Sequence, residues 1–232
     1  MIETFAITYN ERIMLPYYVE HYSKFVDKIT IIDNDSSDGT PDLAKELGCE
    51  VKHYHTNGEQ DNIVMAHVKN NCWKGSKADW VIVGDIDEML WDWEKIENYV
   101  PSNLVIKPIG YNMVGEIDLQ NDTIWSIKKG HRNKGFDKMI LFNPTIEEIG
   151  YFVGCHQAQP KGAKVIKTDI RLLHFNNINE QYLVDKHHKY RNRISQSDLE
   201  KNFGTFYLNP DEKVRKSHQD ALKILENEEP II

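Results

Sequence analysis

The sequence predicts an α/β protein with a largely parallel central sheet, and three observations carry that expectation. The first ninety residues alternate β-branched runs with stretches of helical periodicity. The fourth of those runs, Trp80 to Gly84, carries no charge and reads as a strand covered on both faces, the signature of a buried parallel sheet. A chain of 232 residues, 40% hydrophobic and 28% charged, is long enough to bury such a sheet under helices.

The elements follow in order. Phe5 to Thr8 is the first strand. A helix comes next, with Leu15, Tyr18, Val19 and Tyr22 at helical spacing and Pro16 confined to its first turn. Lys28 to Asp33 is a β-branched strand, Asn34 to Gly39 a turn cluster, and Pro41 to Leu47 a short helix closed by Gly48. Val51 to His55 is the third strand, and Asp61 to Trp73 a helix with Val64, Val68 and Cys72 on one stripe. Beyond Leu90 the pattern changes: Leu104 to Lys107, Thr123 to Ile127 and Lys138 to Phe142 read as strands separated by Gly, Asn and Pro. Asn179 to Lys201 and Pro210 to Glu226 read as two charged amphipathic helices that close the fold or cover a neighbour, so a homo-oligomer is one expectation. No linker splits the chain; residues 1–90, 91–178 and 179–232 are expected as parts of one domain.

Composition excludes several classes. Twenty-eight Lys and Arg against 36 Asp and Glu leave a formal charge of −8, so nonspecific nucleic-acid binding is not expected and any anionic ligand must be met locally. The longest stretch without Asp, Glu, Lys or Arg is Ile149 to Pro160, well short of the roughly 20 apolar residues of a membrane span. The N-terminus lacks a signal peptide's basic start and apolar core. Three widely spaced cysteines, Cys49, Cys72 and Cys155, suggest reduced thiols and a cytoplasmic protein, which leaves the sequons at Asn34 and Asn121 without meaning.

In an open parallel sheet, ligands bind beyond the carboxyl ends of the strands. Here those ends are polar: Thr8-Tyr9-Asn10-Glu11, then Asp33-Asn34-Asp35-Ser36-Ser37-Asp38-Gly39-Thr40, then His55-Thr56-Asn57, then Asp85-Ile86-Asp87-Glu88. Each loop alone is also what a turn and helix cap would use. Together they form one acidic rim. Three carboxylates directly after an apolar strand repel unless a cation sits among them, and hard carboxylate oxygens suit Mg²⁺ or Mn²⁺. An extended spacing of two puts Asp85 and Asp87 on one side of the chain.

The motifs Thr8-Tyr9-Asn10-Glu11, Asp33 to Thr40 and Asp79 to Glu88 resemble, in order and spacing, the N-terminal motifs of family 2-like glycosyltransferases with the GT-A fold. Leu172-Leu173-His174-Phe175 is similar to a late His segment of the same group. The resemblance implies a GT-A-like (Rossmann-like) sheet and a nucleotide-sugar donor, with a UDP-sugar the expected one, lying across the strand ends. It implies that Thr8, Tyr9, Asn10 and Glu11 line the nucleoside pocket, that Asp33 accepts hydrogen bonds from base or ribose, and that Asp85 and Asp87 are the family's Asp-x-Asp metal motif. A dication bridging both phosphates would stabilise the leaving diphosphate. His174 and His156 are candidates for a further metal ligand, His174 preferred because similar enzymes use a late His; a His between Leu173 and Phe175 is also what a hydrogen-bonded core imidazole looks like.

An inverting transfer to a glycan or other hydroxyl acceptor needs a base. Glu116 and Asp137 are the candidates from the half where acceptors dock, with Glu147 and Glu148 as further options; all four are also what solvated carboxylates look like. Between Lys128 and Lys138 the chain carries five cations and Asp137, a net charge of +4 in eleven residues, which reads either as a lid bringing Lys138 to the donor phosphates or as a solvated loop. Lys186 to Arg193 reads as a polar helix face, the alternative being a second anion-facing surface. Other functions remain open: a nucleotidyltransferase, against which the first loop's lack of Gly counts; an aspartyl phosphohydrolase, which would carry its motif after the first strand; and a noncatalytic carbohydrate binder using Trp91, Trp93, Tyr111 and Trp125.

Overall fold

The computed structural model describes residues 1–232, the side chain of Asn227 excepted. Its centre is one sheet. Strands β1 (Ile2–Thr8), β2 (Lys28–Asp33), β3 (Glu50–His53) and β4 (Trp80–Asp85) run parallel in the order β3-β2-β1-β4, with Ala6 opposite Ile31 on one side and Gly84 on the other. Helices α1 (Leu15–Tyr22), α2 (Thr40–Glu46) and α3 (Asn62–Asn71) make the crossovers. Alternation along β4 explains why the strand reads as apolar throughout. Trp80 and Ile82 enter the core that holds Leu15, Tyr18 and Tyr22 of α1, whereas Val81 and Val83 enter the core that holds Ala66 and Trp73.

Past β4 the sheet becomes mixed. Strand β5 (Glu88–Trp91) turns back at once, and β6 (Leu104–Val114), β7 (Gly130–Arg132), β8 (Leu141–Phe142) and β9 (Lys164–Asn177) complete the order β4-β8-β6-β9-β5, with β7 on β6. The pair β6–β9 is parallel, while β4–β8, β8–β6, β6–β7 and β9–β5 are antiparallel. This mixed α/β sheet is consistent with the GT-A-like arrangement that the resemblance implies.

Three expectations change here. Thr123 to Ile127 is not a strand: Ile124–Ser126 forms a 3₁₀ turn capped by the Thr123 side chain. The β8 strand is only two residues long, because the chain before it is taken up by the approach of Lys138 to the site. The largest omission is β9, fourteen residues whose exposed first half, Lys164 to Asp169, is too polar to read as sheet but which ends in the buried run Leu172, Leu173, His174 and Phe175.

The C-terminal segment forms α4 (Glu180–Arg191), α5 (Gln196–Glu200) and α6 (Asp211–Ile224). Asn179 caps α4 and Ser195 caps α5, which is why the expected single helix breaks at 192–195. Leu183 and Val184 of α4 pack on Val214 of α6, and His218 of α6, 1% exposed, bonds Asn177 of β9. The consequence is that α4 lies over the carboxyl ends of the parallel strands. Among the described residues no helix is long and apolar enough to cross a membrane.

Candidate active site

A cavity of about 440 Å³ opens between the ends of β1, β2 and β4 on one side and α4 with residues 202–207 on the other. Strand ends supply Thr8, Tyr9, Glu11, Asn34, Tyr54, Asp85 and Asp87; α4 and the residue pair that follows it supply Lys186, Tyr190 and Arg193; Phe136, Lys138, His156 and His174 close the third side. Polar strand ends meet because a parallel sheet places every carboxyl end at one edge.

The acidic turn after β4 is built around charge pairs. Asp85 is held by two lysines that are themselves buried, Lys69 of α3 at 2.5 Å and Lys138 at 3.0 Å. Lys138 also pairs with Glu88, which is fully buried and whose other oxygen accepts the Asp85 N–H. Asp87, 3% exposed, pairs with Lys186 of α4, and the same carboxylate oxygen lies 3.2 Å from His174 Nε2. His174 is brought there by register: it stands opposite Glu88 across the antiparallel β5–β9 pair. Burial alone would raise the Asp87 pKa, but Lys186 and His174 outweigh it, so the carboxyl stays ionised well below its usual range. Asp85 is likewise lowered against its burial by Lys69 and Lys138.

Three ammonium groups therefore balance Asp85, Asp87 and Glu88 inside the chain. Repulsion among these carboxylates, the sequence argument for a dication, is relieved without one, because lysines from α3, the β8 approach and α4 converge on a single turn. What bears on a metal is the donor set. Among the described residues no three His, Cys, Asp or Glu form a cluster able to hold an ion. Asp87 and His174 do fit as two donors, an oxygen on the turn between β4 and β5 and a nitrogen on β9, 3.2 Å apart. Asp85 does not fit, since each of its oxygens is taken by a buried lysine. His156 does not fit either: its Nδ1 is 2.9 Å from the Gly135 carbonyl, its ring packs on Phe136, and it forms no metal-holding cluster with Asp87 and His174 among the described residues.

The expected nucleoside pocket is partly as the motifs suggest. Thr8, Tyr9 and Glu11 line the cavity. Glu11 is committed to Lys189 at 2.6 Å. Tyr9 carries the Arg193 guanidinium stacked on its ring at 3.3 Å from the centroid, and Arg193 also donates to the Gly58 and Glu59 carbonyls and to Asn34 Oδ1. Asn10 and Asp33 do not line it. Asn10, with a left-handed φ of 52°, spends its side chain on the Ser37 N–H, and Asp33, 1% exposed, accepts from Ser36 N–H and the Thr8 hydroxyl. Both shape the loop from behind, and Asn34, itself only 4% exposed, lines the cavity instead.

Neither expected base reaches the cavity. Glu116 lies past the end of β6, bound to His218 and to the Glu180 N–H at the start of α4. Asp137 accepts from the Gly110 N–H at 2.8 Å and from Arg132 at 2.6 Å, which pins the turn carrying Phe136. Gly110 is required there, because a Cβ would lie 2.3 Å from the Phe136 backbone. Glu147 and Glu148 pair with the Lys161 segment on the far loop. The basic run Lys128 to Lys138 is no free lid: β7 is paired to β6, Lys129 donates to the Leu225 carbonyl, and Lys138 is buried. Trp91, Trp93 and Trp125 are likewise absent from the cavity wall; Trp91 and Trp125 pack around His21 of α1, and Trp93 stacks on Phe25.

Sequence reasoning missed Lys69, and offered Lys186, Tyr190 and Arg193 only as part of a polar helix face or, alternatively, a second anion-facing surface. A signal for the last three existed: Lys186, Lys189 with Tyr190, and Arg193 recur at i, i+3/i+4 and i+7, continuing the stripe of the buried Tyr182 and Leu183. A polar stripe in line with an apolar one faces inward.

No family model matches the chain, and no curated protein matches it. Solved structures do. Glucosyl-3-phosphoglycerate synthase from Mycobacterium tuberculosis, crystallised with Mn²⁺, UDP and glucosyl-3-phosphoglycerate, is 16% identical over 47% of this chain and 44% of its own, with a TM-score of 0.34. S. aureus TarS 1-349 in complex with UDP-GlcNAc is 12% identical over 98% of this chain and 77% of its own, with a TM-score of 0.43. HddC from Yersinia pseudotuberculosis is 15% identical over 78% and 96%, with a TM-score of 0.35. The chain thus spans less than half the length of the mycobacterial synthase. At such scores no residue's role is carried across, and the roles below rest on this chain's own geometry.

Proposed function

We propose that the protein is a glycosyltransferase that moves a sugar from a nucleotide-sugar donor, a UDP-sugar by the motif resemblance, to a sugar, glycan or other hydroxyl acceptor with inversion. The observation that carries the reading is the mixed-charge cavity, in which ionised Asp87, paired with Lys186 and beside His174, lines with Lys138 a space bounded by the stacked Tyr9–Arg193 pair. Such a site suits a ligand that is both anionic and flat at one end. Tyr9 and Arg193 present planar faces to a nucleobase, while Asn34, already oriented by Tyr54 and Thr56, offers polar edges nearby. Lys138 and Lys186 lie where a diphosphate would sit against the Asp85–Asp87 turn, in a site buried enough for their charge to be felt strongly.

Asp87 and His174 would hold Mn²⁺ or Mg²⁺, and the ion would neutralise charge on the departing diphosphate. Binding it requires Lys186 to release the Asp87 oxygen, which frees that ammonium for a phosphate. Asp85 keeps Lys69 and Lys138 in place, and Glu88 fixes the turn from beneath.

The experiment is thermal denaturation with UDP, GDP, CDP and dTDP, each with and without Mn²⁺. One nucleoside diphosphate is expected to stabilise the protein only when the metal is present, and Asp87→Ala to abolish the effect. No stabilisation by any of the four, or stabilisation indifferent to both metal and Asp87, contradicts the reading.

A further inference from the structure

The site as built lacks an obvious proton acceptor. Four carboxylates line the cavity, and each is engaged: Glu11 with Lys189, Asp61 with the first N–H groups of α3 that it caps, Asp85 with Lys69 and Lys138, and Asp87 with Lys186 and His174. Of the three lining imidazoles, His174 turns Nε2 to Asp87, and His187 is tucked against Phe206 and Tyr207 with Nδ1 buried. His156 differs from both. Its Nδ1 is 2.9 Å from the Gly135 carbonyl oxygen, which can only accept, so Nδ1 bears the hydrogen and, in the neutral ring, Nε2 bears a lone pair. Among the described residues Nε2 has no hydrogen-bond partner.

The backbone places this ring deliberately. Gly154 and Cys155 are consecutive left-handed residues, with φ of 84° and 56°, a conformation that non-glycine residues seldom adopt. The turn is fixed by the buried Cys155, whose N–H donates to the Phe152 carbonyl, and by the Phe152 N–H to Gln157 carbonyl bond. Phe136 packs against both histidines, its ring centroid 4.1 Å from that of His174 and 5.4 Å from that of His156. His156 thus lines the cavity beside Phe136.

We infer that His156 is the general base of the reaction, an assignment that rests on the glycosyltransferase reading above. The acceptor's O–H proton passes to His156 Nε2 as that oxygen forms its bond to the anomeric carbon. The bond from that carbon to the phosphate oxygen breaks, and its electron pair leaves with the nucleoside diphosphate. The ring is solvent-exposed on its open side, and the desolvation of the part that rests on the cavity wall, followed by the Lys138 charge, lowers the imidazole pKa below its ordinary range and favours the accepting form at neutral pH. Phe136 and the Gly135 carbonyl, both on the turn pinned by Asp137, hold the ring in position; Asp137 is a positioning residue.

The test uses water as acceptor, so the natural acceptor need not be known. Nucleoside diphosphate release from UDP-, GDP-, CDP- and dTDP-sugars is followed for the wild type and for His156→Ala and His156→Asn, with donor affinity measured alongside. The Asn amide can still donate to Gly135 but lacks the accepting nitrogen. Both variants are expected to bind the donor within about twofold of wild type and to lose about a hundredfold or more in turnover, and free imidazole is expected to restore part of the His156→Ala rate. Wild-type turnover in either variant, or recovery in His156→Asn alone, overturns the assignment and marks His156 as structural. Loss in both without imidazole rescue also counts against it. If the wild type binds and turns over none of the donors, it is the glycosyltransferase reading that fails.

Discussion

The two walls of the cavity are built differently. One consists of strand ends: Thr8 and Asp85 close β1 and β4, in register with Asp33 and Ile7, and Tyr9 and Asp87 follow in the turns just beyond. The other is a single helix, α4, whose Lys186, Lys189 and Tyr190, with Arg193 beyond its end, cross about 100 to 180 residues of sequence to meet that edge. The acidic wall is local and the basic wall is not. Asp87 is stable as a buried anion only because α4 arrives, so the two walls are one electrostatic unit although they are remote in the chain.

The sharpest way to break this comparison is to remove one side. Asp87→Asn leaves the Lys186 ammonium, about one-tenth exposed, without its counter-charge. We expect a loss of about 3–5 kcal/mol in urea denaturation together with loss of metal-dependent nucleotide binding. The double variant Asp87→Asn/Lys186→Met should regain much of the stability and none of the binding. Equal instability in the single and double variants would show that the walls are not coupled.

A second prediction separates the site's response to acid from that of the scaffold. His21 on α1, 3% exposed and bonded through Nε2 to the Leu90 carbonyl, has its pKa lowered from 6.5 to about 4, mainly by burial. Between those values the unfolded chain takes up a proton that the folded chain does not, so stability must fall as pH is lowered through this window, by up to about 3 kcal/mol. Urea titrations at pH 7.5, 5.5 and 4.5 should show the slope, and His21→Gln should flatten it. An unchanged slope in that variant would place the acid response elsewhere.

Arg193→Ala removes the plane stacked on Tyr9 and the bonds to Asn34 and the 58–59 carbonyls. Nucleoside diphosphate affinity should fall about tenfold, near 1.4 kcal/mol, by calorimetry; an unchanged affinity would remove α4 from the nucleotide's surroundings. The smallest effect is expected at Glu116, whose half-exposed carboxylate holds His218 and the start of α4. Glu116→Gln should cost under about 1 kcal/mol and leave donor turnover intact, and a large loss of turnover would restore it as a base.

The same asymmetry explains what could be read from sequence. Strands β1, β2 and β4 announce themselves by continuous apolar runs, and the strand-end rule then points to Thr8, Tyr9, Asp85 and Asp87 without any knowledge of packing. His174 could be flagged but not placed, because its position depends on the register of β9 against β5, and β9 hides behind a polar first half. Lys69 was illegible, since a lysine is assigned to solvent unless a buried anion is known to await it; Lys138 was expected at the donor phosphates on a lid, but not its burial between Asp85 and Glu88. The expected roles of Asn10, Asp33 and Glu116 gave way for a related reason: short polar side chains after strands serve the backbone as readily as a ligand, and only coordinates distinguish the two.

The central claim is that Asp87 and His174 hold a divalent ion against a nucleoside diphosphate lying between the strand ends and α4. Diffraction at the manganese absorption edge from crystals grown with UDP and Mn²⁺ tests it most directly. An anomalous peak bonded to both side chains, with the diphosphate beside it and Lys186 withdrawn from Asp87, is the predicted result. A peak away from this pair, or nucleotide bound outside the cavity, would contradict it.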